Sequence, residues 1–196
     1  MNSSEATVAK KAELRAEALT RRDLLPPVLR AQAAEAVAVR PLPPGIPREA
    51  VVSGFMPIRN EINPLPLMRR LAERGSRLAL PTIVGRGQAL RFRAWKFGEP
   101  LRRGQWGIRE PEPGAPEVDP DVLLVPLAAF DRRGHRIGYG AGYYDKSILA
   151  LRARKSILAI GLAFAVQEID EVPALPHDAR LDLVLTEREV IDCRGA

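Results

Sequence analysis

Three glycines at alternate positions, Gly138, Gly140 and Gly142, stand directly before Tyr143, Tyr144 and Asp145 in RIGYGAGYYDK, Arg136 to Lys146. Glycine carries no side chain and reaches backbone angles closed to other residues. Such a loop can turn several N–H groups toward one anion. The apolar run VLLVPLAAF (Val122 to Phe130) precedes it, and the helix-compatible stretch YYDKSILALRARK follows. Strand, glycine loop, helix is an order that puts a phosphate at a helix N-terminus, where open N–H groups and the helix dipole favour negative charge. Arg136 opens the loop and either neutralises phosphate charge or flanks the turn. Asp145 is placed to hold a metal ion on the phosphate; its other reading is a carboxylate favoured at a helix start. The spacing fits neither G-x-G-x-x-G nor the Walker pattern. A plain tight turn is the competing reading of the glycines.

The elements that must position this loop follow from periodicity and punctuation. SEATVAKKAELRAEALTRR, residues 4–22, is rich in helix formers, with Ser4 as a candidate cap. Lys11 and Arg15 are four apart and share one helix face. Pro26–Pro27 break the pattern, and an alanine-rich helix is expected over about 28–39. PLPPGIP, Pro41 to Pro47, reads as a rigid connector. EAVVSGFMP reads as a buried strand ending near Phe55, 64–74 as a helix, and SRLALPTI as a strand stopped by Pro81. ALRFRAW alternates like a half-exposed strand. Residues 98–120 are dense in Pro and Gly and read as loop. VLLVPLAAF suits a central strand; KSILAIGLAF, LDLVLTE and EVIDCR are further strands.

Strands alternating with helices predict an α/β fold. The expectation is a single three-layer domain over residues 1–196, a mainly parallel sheet flanked by helices, with 1–40 as an N-terminal helical segment packed on it. Ligands of such sheets sit beyond the carboxyl ends of the strands. The glycine loop after Phe130 and the segment after Phe55 both fall there.

Composition narrows the setting. The chain has 196 residues, 46% hydrophobic, enough for a sizeable core. No apolar run approaches the ~20 residues that span a membrane, and MNSSEATVAKKAELRAE has no apolar signal core. One cysteine, Cys193, excludes an intrachain disulfide. A cytoplasmic location is expected. A net charge of +6 suits anionic partners. The basic residues are dispersed among acids, so most read as solvated surface, and no nucleic-acid partner is expected.

VPLAAFDRRGHRIGYGAGYYD, Val125 to Asp145, closely resembles the signature of the 5-formyltetrahydrofolate cyclo-ligase (methenyltetrahydrofolate synthetase) family. KAELR (Lys11 to Arg15), FMPIRNEIN (Phe55 to Asn63), ALPTIVG (Ala79 to Gly85), WGIREP (Trp106 to Pro111) and PHDARLDLVLTE (Pro176 to Glu187) are similar to its other segments, in the family's order. The resemblance implies ATP-dependent cyclisation of 5-formyltetrahydrofolate to 5,10-methenyltetrahydrofolate, with ADP and phosphate released. A formamide oxygen is a very poor leaving group. Phosphoryl transfer to it gives an iminium phosphate, and folate nitrogen 10 then attacks the activated carbon. The protein must align two ligands, hold Mg²⁺ and exclude water.

By the same resemblance, Lys11, Arg15 and the loop Arg136, Ile137, Gly138, Tyr139, Gly140, Ala141, Gly142, Tyr143 and Tyr144 bind ATP. Tyr139 to Tyr143 also meet the folate. Tyr143 and Arg136 are the catalytic candidates, Tyr143 being preferred as the ligand-facing tyrosine. Asp145 and Asp178 are the Mg²⁺ candidates. Glu61 accepts two adjacent N–H groups of the pterin edge, Met56 is a substrate contact, and Trp106 stacks on a ligand ring. Bland readings stand beside these: a solvated face for Lys11 and Arg15, a turn residue for Asp178, a loop acid for Glu61, packing for Met56. Some family members carry basic side chains where this chain has Tyr139 and Ala141. That departure, with the high charge, supports a rival: a basic nucleotide- or RNA-binding module that kept the fold without the chemistry. His135, expected to be exposed, His177 and Cys193 are assigned no catalytic role.

Overall fold

Alternation along the apolar runs assigns each residue to one face of the sheet. Val122 and Leu124 pack into one core cluster, and Leu123 and Val125 into another. The computed structural model describes residues 3–41 and 46–195. Most of the PLPPGIP connector lies outside the described residues.

The central sheet is built from β1 (Val51–Ser53), β2 (Arg77–Thr82), β3 (Arg91–Ala94), β6 (Val122–Pro126), β9 (Leu158–Leu162), β10 (Leu183–Leu185) and β11 (Val190–Asp192). Their order is β11-β10-β9-β6-β1-β2-β3. The inner strands β10, β9, β6, β1 and β2 run parallel, while β3 and β11 cap the edges antiparallel. Two local hairpins are separate: β4 (Leu101–Arg103) with β5 (Arg109–Pro111), and β7 (Ala129–Phe130) with β8 (Arg136–Ile137). The fold is α/β with a mainly parallel sheet, as expected.

Helices cover both faces. α2 (Pro27–Val39) and α3 (Leu65–Glu73) bury Val37, Leu67, Met68 and Leu71 on the face of Val122. α4 (Tyr143–Arg152) buries Ile148 and Leu151 on the face of Leu123. α1 (Ser3–Asp23) lies apart, seating Ala18 against Ala129, Ile137 and Val172. From β1 the chain crosses to β2 through α3 on one face; from β6 it crosses to β9 through α4 on the other. The adjacent strands β1 and β6 therefore form a topological switch point, where such sheets open a crevice at their carboxyl ends.

Several local expectations are corrected. β2 runs through Pro81 rather than stopping there. Strand β1 ends at Ser53, opposite Ala79, so no partner on that side needs the N–H that Pro81 lacks. Residues 98–120 hold the β4–β5 hairpin. VLLVPLAAF is not one strand: Leu127 and Ala128 separate β6 from β7, so a hairpin intervenes between central strand and glycine loop. Helix α1 already includes Ser3, which puts Ser4 inside its first turn rather than at the cap.

Candidate active site

One face of α1 faces the glycine loop. Lys11, Leu14, Arg15, Ala18 and Arg22 recur at helical spacing, and all are buried or half-buried. Arg15 Nε donates to the carbonyl of Gly138 at 2.6 Å, and burial pulls its pKa down. Lys11 Nζ donates to Asp178, whose Oδ2 also accepts from the N–H of Leu175 at 2.6 Å. The two residues predicted to meet phosphate thus reach the loop and one predicted metal carboxylate.

The loop leads into α4 with open room around it. Gly140 has φ of +98° and Gly142, the N-cap, has φ of +67°. Gly138 has no positive φ, and a Cβ added there would meet nothing within 4 Å. Neither backbone nor protein packing explains a glycine at 138. No side chain caps the start of α4, so its first-turn N–H groups stay available.

Arg136 is turned inward. Its side chain is 3% exposed and pairs with Asp145 Oδ1 at 2.9 Å. Its Nη1 donates to the carbonyl of Ala179 at 2.5 Å. Burial pulls its pKa down against the opposing pull of Asp145. Of the two readings of Arg136, phosphate contact or a flank of the turn, these contacts favour the second: its guanidinium holds Asp145 and the carbonyl of Ala179. Asp145 Oδ1 also accepts from the N–H of Ala179 at 3.1 Å. The hydrogen bonds of each carboxylate fall on one oxygen, Oδ1 of Asp145 and Oδ2 of Asp178. Among the described residues no group of three His, Cys, Asp or Glu side chains forms a metal site.

Glu61 follows the carboxyl end of β1, and its Oε2 accepts from the N–H of Ile58 at 2.8 Å. Burial raises its pKa, opposed by that bond, by a hydrogen bond from Tyr139, and by Arg22 and Arg59. Tyr139 in turn accepts from Arg22 Nη1 at 2.9 Å. The glycine loop and the segment after β1 are therefore brought together. The hydroxyl of Tyr144 has Glu61 and Arg136 as its charged neighbours, and burial pushes its pKa up. The hydroxyl of Tyr143, the tyrosine preferred from sequence, is buried without a hydrogen-bond partner.

Met56 lines a cleft of about 640 Å³ with Asn63, Leu65, Trp95, Phe97 and Arg109. Trp106 stands 77% exposed in the turn of the β4–β5 hairpin, with φ of +63°. It does not join these contacts, although Leu101 and Arg109 of its hairpin wall the cleft. His135 is half-buried rather than exposed, its Nδ1 unpartnered and its pKa lowered by burial. Cys193 is buried, its thiol pushed up to about 11. Arg22 was missed by the sequence reading; its one signal is that it lies seven residues after Arg15, on the same helix face.

The sequence profile of the 5-formyltetrahydrofolate cyclo-ligase family matches residues 7–187. The chain belongs to the 5-formyltetrahydrofolate cyclo-ligase family. Over 192 residues it is 33% identical to the Mycolicibacterium smegmatis 5-formyltetrahydrofolate cyclo-ligase, covering 92% of this chain and 95% of that protein. The Escherichia coli protein of the same name is 30% identical over 71% of this chain and 79% of its own length. The NMR structure of the Aquifex aeolicus 5,10-methenyltetrahydrofolate synthetase superposes with a TM-score of 0.76 at 28% identity, covering 95% of this chain and 94% of that one. The cyclo-ligase family is one of ligases, and the candidate site lies on the side of the sheet where β1 and β6 end. Among the described residues no helix is long and apolar enough to cross a membrane.

Proposed function

We propose that this chain closes 5-formyltetrahydrofolate to 5,10-methenyltetrahydrofolate at the expense of ATP, with Mg²⁺ held at Asp145 and Asp178. The observation that carries the reading is the contact of Tyr139 with Glu61. It brings the phosphate-type loop against a half-buried carboxylate suited to a pterin edge.

In this reading the N–H groups of Gly138 to Gly142 and the first turn of α4 cradle the polyphosphate, with Lys11 and Arg15 supplying charge. Gly138 leaves the room a phosphate needs. Asp145 and Asp178 fit a magnesium ion, which takes one or two carboxylates and completes its shell with phosphate and water. Bound there, the ion would neutralise charge on the transferring group. Arg136 orients Asp145 and touches no ligand. Glu61 accepts two pterin N–H groups side by side, which fixes the ring. Tyr143 carries a buried hydroxyl lacking an acceptor, a cost of about 1–3 kcal/mol. An oxygen of formyl or phosphate would relieve it. Met56 opens onto the cleft with Trp95 and Phe97, where the flat remainder of the folate has apolar walls.

Local neutralisation of basic residues favours the enzyme over the polyanion binder. Arg132, Arg133, Arg154 and Arg194 each pair with a carboxylate. The test is stoichiometry: one ADP and one phosphate released for each methenyl product supports the reading, and ATP hydrolysis without product contradicts it.

A further inference from the structure

Arg22 is a charged side chain only 2% exposed, at the end of α1. Nothing in the chemistry above uses it. Its Nε donates to Asp23 Oδ1 at 2.9 Å. Its Nη1 donates to the hydroxyl oxygen of Tyr139 at 2.9 Å. A phenol oxygen that accepts from a guanidinium has one proton left to give, and the Glu61 carboxylate is the acidic neighbour of that hydroxyl. Arg22, Tyr139 and Glu61 thus stand in a row, with the first link a hydrogen bond donated by the guanidinium. The row joins α1, the glycine loop and the segment after β1.

We propose that Arg22 is a positioning residue for folate: acting through Tyr139, it holds Glu61 ionised and aimed at the pterin. The loop has no basic side chain of its own between Ile137 and Tyr144. Arg22 brings a positive charge to the Tyr139 hydroxyl, on the Glu61 side of the loop, from another element. Glu61 needs that charge because it is half-buried. Desolvation favours its neutral form, and a neutral carboxyl offers a donor where the pterin also offers donors. The charged and titratable groups around it are few: Arg59 on its own segment, Arg22 from α1, Tyr139 from the loop and Tyr144 from α4. Of the two cations, Arg22 also holds Tyr139, the hydroxyl that neighbours Glu61.

This inference rests on the folate reading, and equilibrium titration separates their failures. 5-Formyltetrahydrofolate and Mg-ATP are titrated separately into wild type, Arg22→Met, Arg22→Lys, Tyr139→Phe and the Met/Phe double variant, from about pH 5, just above the ordinary carboxylate range, to about pH 8. Arg22→Met should weaken folate binding about tenfold at neutral pH and leave Mg-ATP binding within about twofold. The deficit should shrink as pH rises, because Glu61 then ionises unaided. Arg22→Lys should restore most of the affinity. The double variant should bind no worse than Arg22→Met, since one residue acts through the other. If Arg22→Met does not fold, Tyr139→Phe, which keeps the ring, should show the same pH-dependent deficit. A deficit equal for both ligands, independent of pH, or additive in the double variant overturns the proposal. Wild type that binds Mg-ATP but no folate overturns the functional reading itself, and this inference with it.

Discussion

Arg15 Nε donates a 2.6 Å hydrogen bond to the carbonyl oxygen of Gly138, tying helix α1 to a loop 123 positions later in the chain. The bond uses Nε. The adjacent Nη2 also faces the loop, 4.0 Å from where a Cβ on Gly140 would stand. One side chain can thus hold the loop and meet its anion. Lysine keeps the charge but offers no fork. Arg15→Lys should raise the KM for ATP about tenfold and leave the KM for folate near wild type. Initial-rate kinetics with each substrate varied checks this. Unchanged ATP kinetics would mean that the arginine serves only the loop.

Gly138 and Gly161 separate ligand space from core space. A methyl on Gly138 meets no protein atom within 4 Å, whereas one on Gly161 would lie 2.7 Å from Leu181 and 2.9 Å from Leu127 side-chain atoms. Gly138→Ala should keep the thermal midpoint and weaken Mg-ATP binding. Gly161→Ala should lose about 1–3 kcal/mol of stability by overpacking, with ligand binding intact in the folded fraction. Calorimetry for both properties distinguishes them. A Gly138→Ala protein with unaltered ATP affinity would remove the phosphate from that position.

Asp145 carries two duties in this account. Asp145→Asn removes the counter-charge of Arg136, whose side chain is 3% exposed. Leaving a buried guanidinium unpaired costs on the order of 3 kcal/mol. The variant should unfold at lower denaturant and also need more Mg²⁺ for half-activity. Arg136→Lys should lower stability while the Mg²⁺ requirement moves less. A Mg²⁺ requirement equal to wild type in Asp145→Asn would make the carboxylate purely structural.

The sheet was legible because its inner strands are short, apolar and bounded by glycine, proline or charge. The hairpins were not. β4 and β5 have three residues each, within a stretch whose prolines and glycines read as loop. The β7–β8 hairpin was hidden because Ala128 to Phe130 continue the apolar run of β6 without a polar break. In the site, the glycines and Asp145 announced themselves by spacing. Arg136 and Arg22 did not, since a charged side chain reads as solvated until its partners are known. Asp145 and Tyr139, the partners that bury them, lie 9 and 117 positions away.

Glu61 links function to acid stability. Its folded pKa is raised above the ordinary 4.5 by burial. A raised carboxylate adds nothing unfavourable below the unfolded value and costs stability once pH has risen through the folded one. Glu61→Gln removes that cost. The variant should therefore be more stable than wild type at neutral pH, with the gain fading as pH falls toward about 4. Its folate affinity should nevertheless drop about tenfold, because an amide presents a donor to pterin donors. Thermal melts across pH, paired with folate titration, check both signs. A variant less stable at neutral pH would show that the carboxylate is needed by the fold.

The central claim is that the glycine loop and Glu61 form one ligase site. Protein mixed with Mg-ATP and 5-formyltetrahydrofolate should generate the near-ultraviolet absorbance of the methenyl product, and omission of ATP, Mg²⁺ or folate should abolish it. Glu61→Gln and Gly138→Ala should each slow it, the first restored by excess folate and the second by excess ATP. Absence of the methenyl band from folded wild-type protein that binds both ligands would contradict the account.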